Sequence, residues 1–248
     1  MATSTYEASY KKYFGDRFDN ITKNSSDEEV RNLYDKWAAD YDKETSRAGL
    51  SFNKPLAECL DAAAKQVFPE TPKDQLKILD AGAGTGLTGV ELYKLGYTNI
   101  EALDISQEML NVAEKKGVYK RFVCTPLTEQ RIAEFETGEF DALISAGVLV
   151  KAHVRPAAFV EMIRMVKTGE SCLSFILFSC TFESVLYVRC GLVSFTLRYN
   201  EVDEYQPKMT ELEEAGIWEK LCGKKISYFE NKDMPGDGVG FVYKVLKK

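Results

Sequence analysis

Between Ser26 and Tyr41 the chain sets Val30, Leu33, Tyr34, Trp37, Ala38 and Tyr41 three and four positions apart, the spacing of one face of a helix. Ser26 and Glu29 stand before this face at capping-box spacing, so a helix is expected to open there and residues 1–25 to form a mobile arm. A second helix is expected with Asn53 as its cap, Pro55 tolerated in the first turn, and Leu56, Leu60, Ala63 and Val67 facing inward. From Leu76 the pattern changes to short apolar runs alternating with amphipathic segments, as βα units around a parallel sheet require. Strands are expected at 76–80, 99–104, 121–125 and 140–145, with helices at about 86–95, 106–116, 127–136 and 155–167. Near the end, Lys225 to Glu230 and Val239 to Leu246 are strand-like and flank the turn-rich Pro235-Gly236-Asp237-Gly238, which predicts a closing antiparallel hairpin. The fold class is therefore α/β, a mixed and mostly parallel sheet with its ligand crevice at the carboxyl ends of the central strands.

One stretch offers two candidates for the fifth strand, Leu173 to Leu177 and the near-repeat Val193 to Leu197. The second suits the plan better, because Leu197-Arg198-Tyr199-Asn200 leads into a helix expected near Pro207. Residues 170–190 then read as an insertion: an extra hairpin, an apolar contact surface or a splicing artefact. They are too broken by Glu183 and Arg189 to span a bilayer.

Composition narrows the functional classes. A chain of 248 residues with 45% hydrophobic content buries a real core, and a formal charge of −6 without a Lys/Arg cluster leaves no footprint for a phosphate backbone. Nucleic acid and membrane are not expected partners. The six cysteines (Cys59, Cys124, Cys172, Cys180, Cys190 and Cys222) form no CxxC pair and lie mostly in apolar runs, as reduced, buried thiols do. With the polar N-terminus lacking a signal-peptide core, a cytoplasmic location is expected.

The chemistry centres on Asp80-Ala81-Gly82-Ala83-Gly84-Thr85-Gly86, which follows an apolar strand and precedes a helix. Alternating glycines let the backbone turn tightly and approach a ligand with no Cβ in the way. The dinucleotide fingerprint needs its last glycine one place later, where Leu87 stands, so NAD is disfavoured. A carboxylate just before the first glycine repels a pyrophosphate and suits a ligand carrying an ammonium and a sulfonium. Asp104, at the end of the next strand, lies where ribose hydroxyls would sit, although a strand-terminal Asp also serves as a helix cap.

With these elements the sequence resembles the class I methyltransferases, from about Val30 to the C-terminus. Tyr34-Asp35-Lys36-Trp37-Ala38-Ala39-Asp40-Tyr41-Asp42, the glycine loop, Cys124-Thr125 and Tyr228-Phe229-Glu230-Asn231-Lys232 are similar to the methyltransferase-like proteins named for the Williams-Beuren syndrome region. The resemblance implies a Rossmann-like fold with N-terminal lid helices and S-adenosylmethionine as cofactor. It also implies Gly82 and Gly84 on the methionyl group, Asp104 on the ribose, and the aromatic helix folded over the site. Many relatives carry an acidic residue after the third strand to bind adenine, whereas this chain reads Cys124-Thr125-Pro126-Leu127. Thr125, backbone groups, or packing against Ile105 and Leu127 must then hold the ring. Tyr34, Tyr41, Asp80, Ala83, Gly86, Met109 and Ser145 complete the expected cofactor set, and no metal is expected.

Methyl transfer from a sulfonium is an in-line displacement on an activated carbon, so positioning dominates and a base is optional. The stretch Ser145-Ala146-Gly147-Val148-Leu149-Val150-Lys151-Ala152-His153 lacks the Asn-Pro-Pro-aromatic run of adenine methyltransferases, and no glutamate pair awaits an arginine. His153, the one histidine, is the candidate proton acceptor, with a packing role as its alternative. Tyr34, Trp37 and Tyr41 read as core, as the underside of a lid, or as both. The expected activity is methylation of a small molecule; the rivals are a protein methyltransferase of the same fold, a cofactor-binding protein without catalysis, and a nucleotide-linked oxidoreductase.

Overall fold

The structure is a computed structural model that describes residues 2–150, 153–178, 181–234 and 236–248, with the side chains of 2–7 and 170–189 left out. Three helices, α1 (Ala2–Phe14), α2 (Asp27–Ala48) and α3 (Asn53–Val67), precede the sheet. The alternation then runs β1 (Ile78–Ala81), α4 (Leu87–Lys94), β2 (Ile100–Asp104), α5 (Gln107–Glu114), β3 (Arg121–Cys124), β4 (Ala142–Ser145) and α6 (Phe159–Met165). After it come β5 (Glu170–Phe178), β6 (Thr181–Arg189), β7 (Leu192–Arg198), α7 (Tyr199–Glu214), β8 (Trp218–Ser227) and β9 (Asp237–Val245). Seven strands form one sheet in the order β3-β2-β1-β4-β7-β9-β8, with β9 antiparallel to both neighbours. This is the Rossmann-like α/β fold with its antiparallel finish.

The period of two along each strand divides the core between the two faces of the sheet. Leu79, Leu143, Val193 and Tyr243 point to the face covered by α6 and α7, where Phe159, Met162, Tyr205 and Met209 are buried. Ile78, Ile144, Leu192 and Val242 point to the opposite face, against Leu56 and Leu60 of α3 and Leu92 of α4.

β7 lies between β4 and β9, while β5 and β6 pair only with each other in a separate two-stranded sheet. The backbone of the expected fifth strand is thus in the main sheet; the side chains of Leu173 to Leu177 lie outside the described residues. Gly191 N donates to Lys167 O at 2.8 Å, which closes the base of the β5–β6 hairpin.

Several expected elements differ. Residues 2–14 of the expected arm are helical, with Phe14 buried 5.4 Å from the Trp37 ring. Segment 127–136 is not a helix: Ile132 N donates to Glu161 Oε1, and Arg164 Nη2 takes the carbonyls of Ile132 and Phe135. An ion pair on α6 therefore satisfies backbone groups that a helix would have used. The last helix begins at Tyr199 and carries Pro207 inside it, the cost of about 3 kcal/mol for an interior proline being offset by burial of Tyr205, Met209 and Leu212. β8 starts at Trp218 and not near Lys225, because Trp218 stacks on Tyr243 at 4.1 Å and donates to Met209 O. Of the described cysteines, Cys59 and Cys190 are buried, Cys222 is half-buried and Cys124 is exposed; Cys172 and Cys180 lie outside the described side chains.

Because Lys167 and Gly191 already touch, excising residues 170–189 leaves ends that a short turn joins at little entropic cost. The shortened protein is expected to melt cooperatively with β7 still in the sheet; loss of a cooperative thermal transition would show that the hairpin supports the core.

Candidate functional site

Gly82, Gly84 and Gly86 adopt φ of 80°, 53° and 90°, left-handed values that only glycine takes without strain. A Cβ on Gly82 would come within 2.2 Å of Val148 and one on Gly86 within 2.9 Å of the Tyr119 ring, so packing alone requires those two. A Cβ on Gly84 would meet nothing within 4 Å: the loop keeps open space there. The loop is tied to β2 by Gly82 N and Ala83 N, which donate to Leu103 O at 2.7 and 2.9 Å.

Asp104 closes this arrangement. Its Oδ2 accepts from Gly84 N at 2.7 Å and its Oδ1 from Ser106 N at 2.9 Å, while Ser106, not Asp104, caps α5. Burial pushes the Asp104 carboxyl up to about 6, against the lowering effect of the backbone donors. Asp80 is fully buried behind the loop, where one oxygen accepts from the Tyr119 hydroxyl at 2.7 Å and the other has no partner. Burial pushes its carboxyl up to about 7. Tyr119 reaches it across Gly89, where a Cβ would stand 2.2 Å from the tyrosine oxygen.

Tyr34, Tyr41, Gly82, Gly84, Asp104, Ile105, Met109, Thr125, Leu127 and His153 line one cavity of about 90 Å³. Asp80, Ala83, Gly86 and Ser145 do not reach its wall; Ser145 Oγ instead donates to Ala81 O at 2.8 Å, bracing β4 against the loop. Asp27, Val30, Pro126 and Val148 join the wall without having been expected.

Helix α2 roofs the cavity and is fastened in turn to the glycine loop and to the segments on either side of α5. Arg31 Nε donates to Ile105 O at 3.2 Å, and Asp35 accepts from Ser106 Oγ at 2.6 Å. Asp42 accepts from Thr85 Oγ1 at 2.5 Å and from Lys116 Nζ at 2.7 Å. Tyr34 Oη lies 2.8 Å from His153 Nε2, and His153 Nδ1 is buried without a partner. Burial, then the charge of Arg198, pushes the imidazole down to about 4, so it is neutral near pH 7. Arg198, at the end of β7, sits 5.4 and 5.1 Å from the rings of Tyr10 and Tyr228. Arg31, Asp35, Asp42, Tyr119 and Arg198 escape a reading of local pattern because their partners are distant in sequence. Among the described residues no group of three or more His, Cys, Asp or Glu side chains could hold a metal ion, and no helix is long and apolar enough to cross a membrane.

A glycine loop after β1 and a carboxylate at the end of β2, under a helical roof, have the arrangement in which Rossmann-like sheets commonly receive a nucleoside cofactor. The family model of a methyltransferase domain matches residues 78–169. The chain is 29% identical over 194 residues to human methyltransferase-like protein 27, covering 76% of this chain and 68% of that protein. It is 33% identical over 148 residues to the ribosomal protein L11 methyltransferase of Trichlorobacter lovleyi, of which it spans 44%. Magnesium protoporphyrin IX methyltransferase from Synechocystis has the same fold, with a TM-score of 0.54 at 12% identity over 87% of this chain and 98% of that one. A TehB-like methyltransferase from Corynebacterium glutamicum also scores 0.54, at 18% identity over 88% and 99%. Residues 78–169 thus match a methyltransferase domain, and the sheet has the fold of the class I S-adenosylmethionine-dependent methyltransferases.

Asp80 carries a folded-state value of about 7, above the ordinary carboxylate range, so between about pH 4 and 7 the folded protein holds a proton that the unfolded chain has lost. The contribution is full at the acid end and is lost as the pH rises through 7. Asp80→Asn removes it, so the melting temperature of the ligand-free variant is expected to gain on the unaltered protein as pH rises across this window. A constant difference would mean that Asp80 titrates normally.

Proposed function

We propose that the protein transfers the methyl group of S-adenosylmethionine to a small-molecule acceptor held beneath α2, with His153 taking the acceptor's proton. The observation that carries this reading is the neutral, buried imidazole with an unpartnered Nδ1 on the wall of a roofed cavity. At about 90 Å³ the cavity is well below the roughly 300–1,000 Å³ of small-ligand pockets, so α2 must swing aside for ligands to enter and close over them afterwards.

The residues present fit the cofactor. The open space at Gly84 would receive the methionyl group beside Gly82, and Asp104, with lone pairs beyond the two already used, would accept from the ribose hydroxyls. Thr125, Ile105, Leu127 and Met109 would enclose the adenine, with the rings of Tyr34 and Tyr41 above. Asp80, Ala83, Gly86 and Ser145 act through the shape and field of the loop, since two buried carboxyls favour a cationic ligand. When bound, the cofactor supplies an electrophilic methyl on a sulfonium. The chain's own part is to hold the acceptor in line, exclude water under α2 and accept a proton at His153. The catalytic domain in this reading spans 26–248, with 170–190 inserted, and works in the cytoplasm.

A protein-directed activity is the second reading, favoured by the likeness to ribosomal protein L11 methyltransferase. Methyl-labelled S-adenosylmethionine offered to metabolite and protein extracts separates the two: label in small molecules is expected, label in polypeptides would overturn the acceptor class, and cofactor binding without transfer would mark an inactive binding protein.

Two substitutions test the site by calorimetric titration with S-adenosylhomocysteine. Asp104→Ala is expected to lose ten- to several-hundredfold in affinity, from hydrogen bonds to a charged group at roughly 1.5–3 kcal/mol each. Gly84→Ala meets no neighbour and is expected to stay folded at a cost of about 1–2 kcal/mol for the left-handed backbone, yet to bind at least about tenfold more weakly. Unchanged affinity in both would remove the ligand from this loop.

A further inference from the structure

We infer that Tyr34 is the positioning residue for His153, engaging Nε2 so that Nδ1 is the nitrogen that faces the acceptor; the inference rests on His153 being the proton acceptor. Both side chains line the same cavity, with Tyr34 Oη 2.8 Å from Nε2 and Nδ1 buried without a partner. The rings meet edge-on, centroids 5.4 Å apart, and Tyr34 is backed by the stacked Trp37 ring at 6.1 Å.

The direction of the hydrogen bond follows from what each choice leaves behind. If Tyr34 donated to Nε2, the proton of the neutral ring would sit on Nδ1, an orphaned buried N–H. If Nε2–H donates to the tyrosine oxygen, the rotatable phenol proton turns into the cavity that Tyr34 lines and Nδ1 keeps a lone pair, and under-satisfied acceptors are tolerated in protein interiors better than orphaned donors. The burial that keeps Tyr34 a phenol leaves its oxygen able to accept. The charged and titratable groups that act on the pair are Tyr41 on α2, Asp104 on β2, Tyr10 on α1 and Arg198 on β7.

In this arrangement the acceptor's proton moves to Nδ1 and the electron pair of its bond stays on the acceptor atom. The ring becomes an imidazolium whose Nε2–H is still donated to Tyr34, and the proton leaves to water once α2 lifts. Because Tyr34 rides between Arg31 and Asp35, which fasten α2 to Ile105 and Ser106, closure of the roof and orientation of the base are one event.

The chain has a single histidine, so nitrogen-15 NMR of histidine-labelled full-length protein, alone and with S-adenosylhomocysteine, reads the tautomer without overlap. The expected spectrum has the proton on Nε2 and a bare Nδ1. Tyr34→Phe, checked by thermal melt, is expected to give mixed tautomers. A neutral ring protonated on Nδ1, or a Tyr34→Phe spectrum identical to that of the unaltered protein, would overturn the positioning role. Label transfer that survives His153→Ala would instead remove the proton-acceptor reading while leaving the tautomer result standing, so the two failures are distinguishable.

Discussion

The site depends on a buried carboxylate that gives one lone pair of each oxygen to the backbone. Asp104 accepts from Gly84 N in the glycine loop and from Ser106 N at the mouth of α5, so it sets the distance between those two elements. Charge-assisted bonds to N–H groups offset the cost of burying it, though only in part, as its raised affinity for a proton shows. The next links hang from the same point: Ser106 donates to Asp35 of α2, and Thr85 in the loop donates to Asp42 two turns further along that helix. The roof is thus fastened at two points to the elements that Asp104 joins.

The second constraint is charge. Asp80 and Asp104 are both buried, and the charge of Asp104 raises the hold of Asp80 on a proton. Tyr119 relieves Asp80 with a single hydrogen bond, made possible because Gly89 leaves room for the ring to cross α4. The ligand-free site is thus short of positive charge, which a sulfonium and an ammonium would supply. Arg198 contributes positive potential at Tyr34, Tyr41 and His153, opposite in sign to the two buried carboxyls.

What the sequence made legible was local. The capping box at Ser26 and Glu29, the strand into Asp80, the alternating glycines and the strand into Asp104 each carry their structure in a few adjacent residues, and each stands where the pattern put it. The parallel sheet with its antiparallel finish followed from the order of such segments. What escaped was set by partners far along the chain. The periodicity of 127–136 fits a helix, but Glu161 and Arg164 claim its backbone groups from some thirty residues away. The N-terminal residues looked too polar to order, yet Phe14 finds Trp37, and Tyr10 finds Arg198. The acidic positions of the Tyr34–Asp42 stretch carried the signal for the roof's fastenings, although their partners Ser106, Thr85 and Lys116 follow from topology and not from spacing. That Asp80 is buried behind the loop was hidden for the same reason: its partner Tyr119 comes from the segment before β3.

The central claim is that Asp104 and the glycine loop, closed under α2, hold S-adenosylmethionine. A crystal structure of the protein with S-adenosylhomocysteine tests it most directly. The account predicts ribose hydroxyls within hydrogen-bond distance of Asp104, the homocysteine chain over Gly82 and Gly84, and α2 closed above. A ligand seated elsewhere, with Asp104 bound only to Gly84 and Ser106, would contradict it.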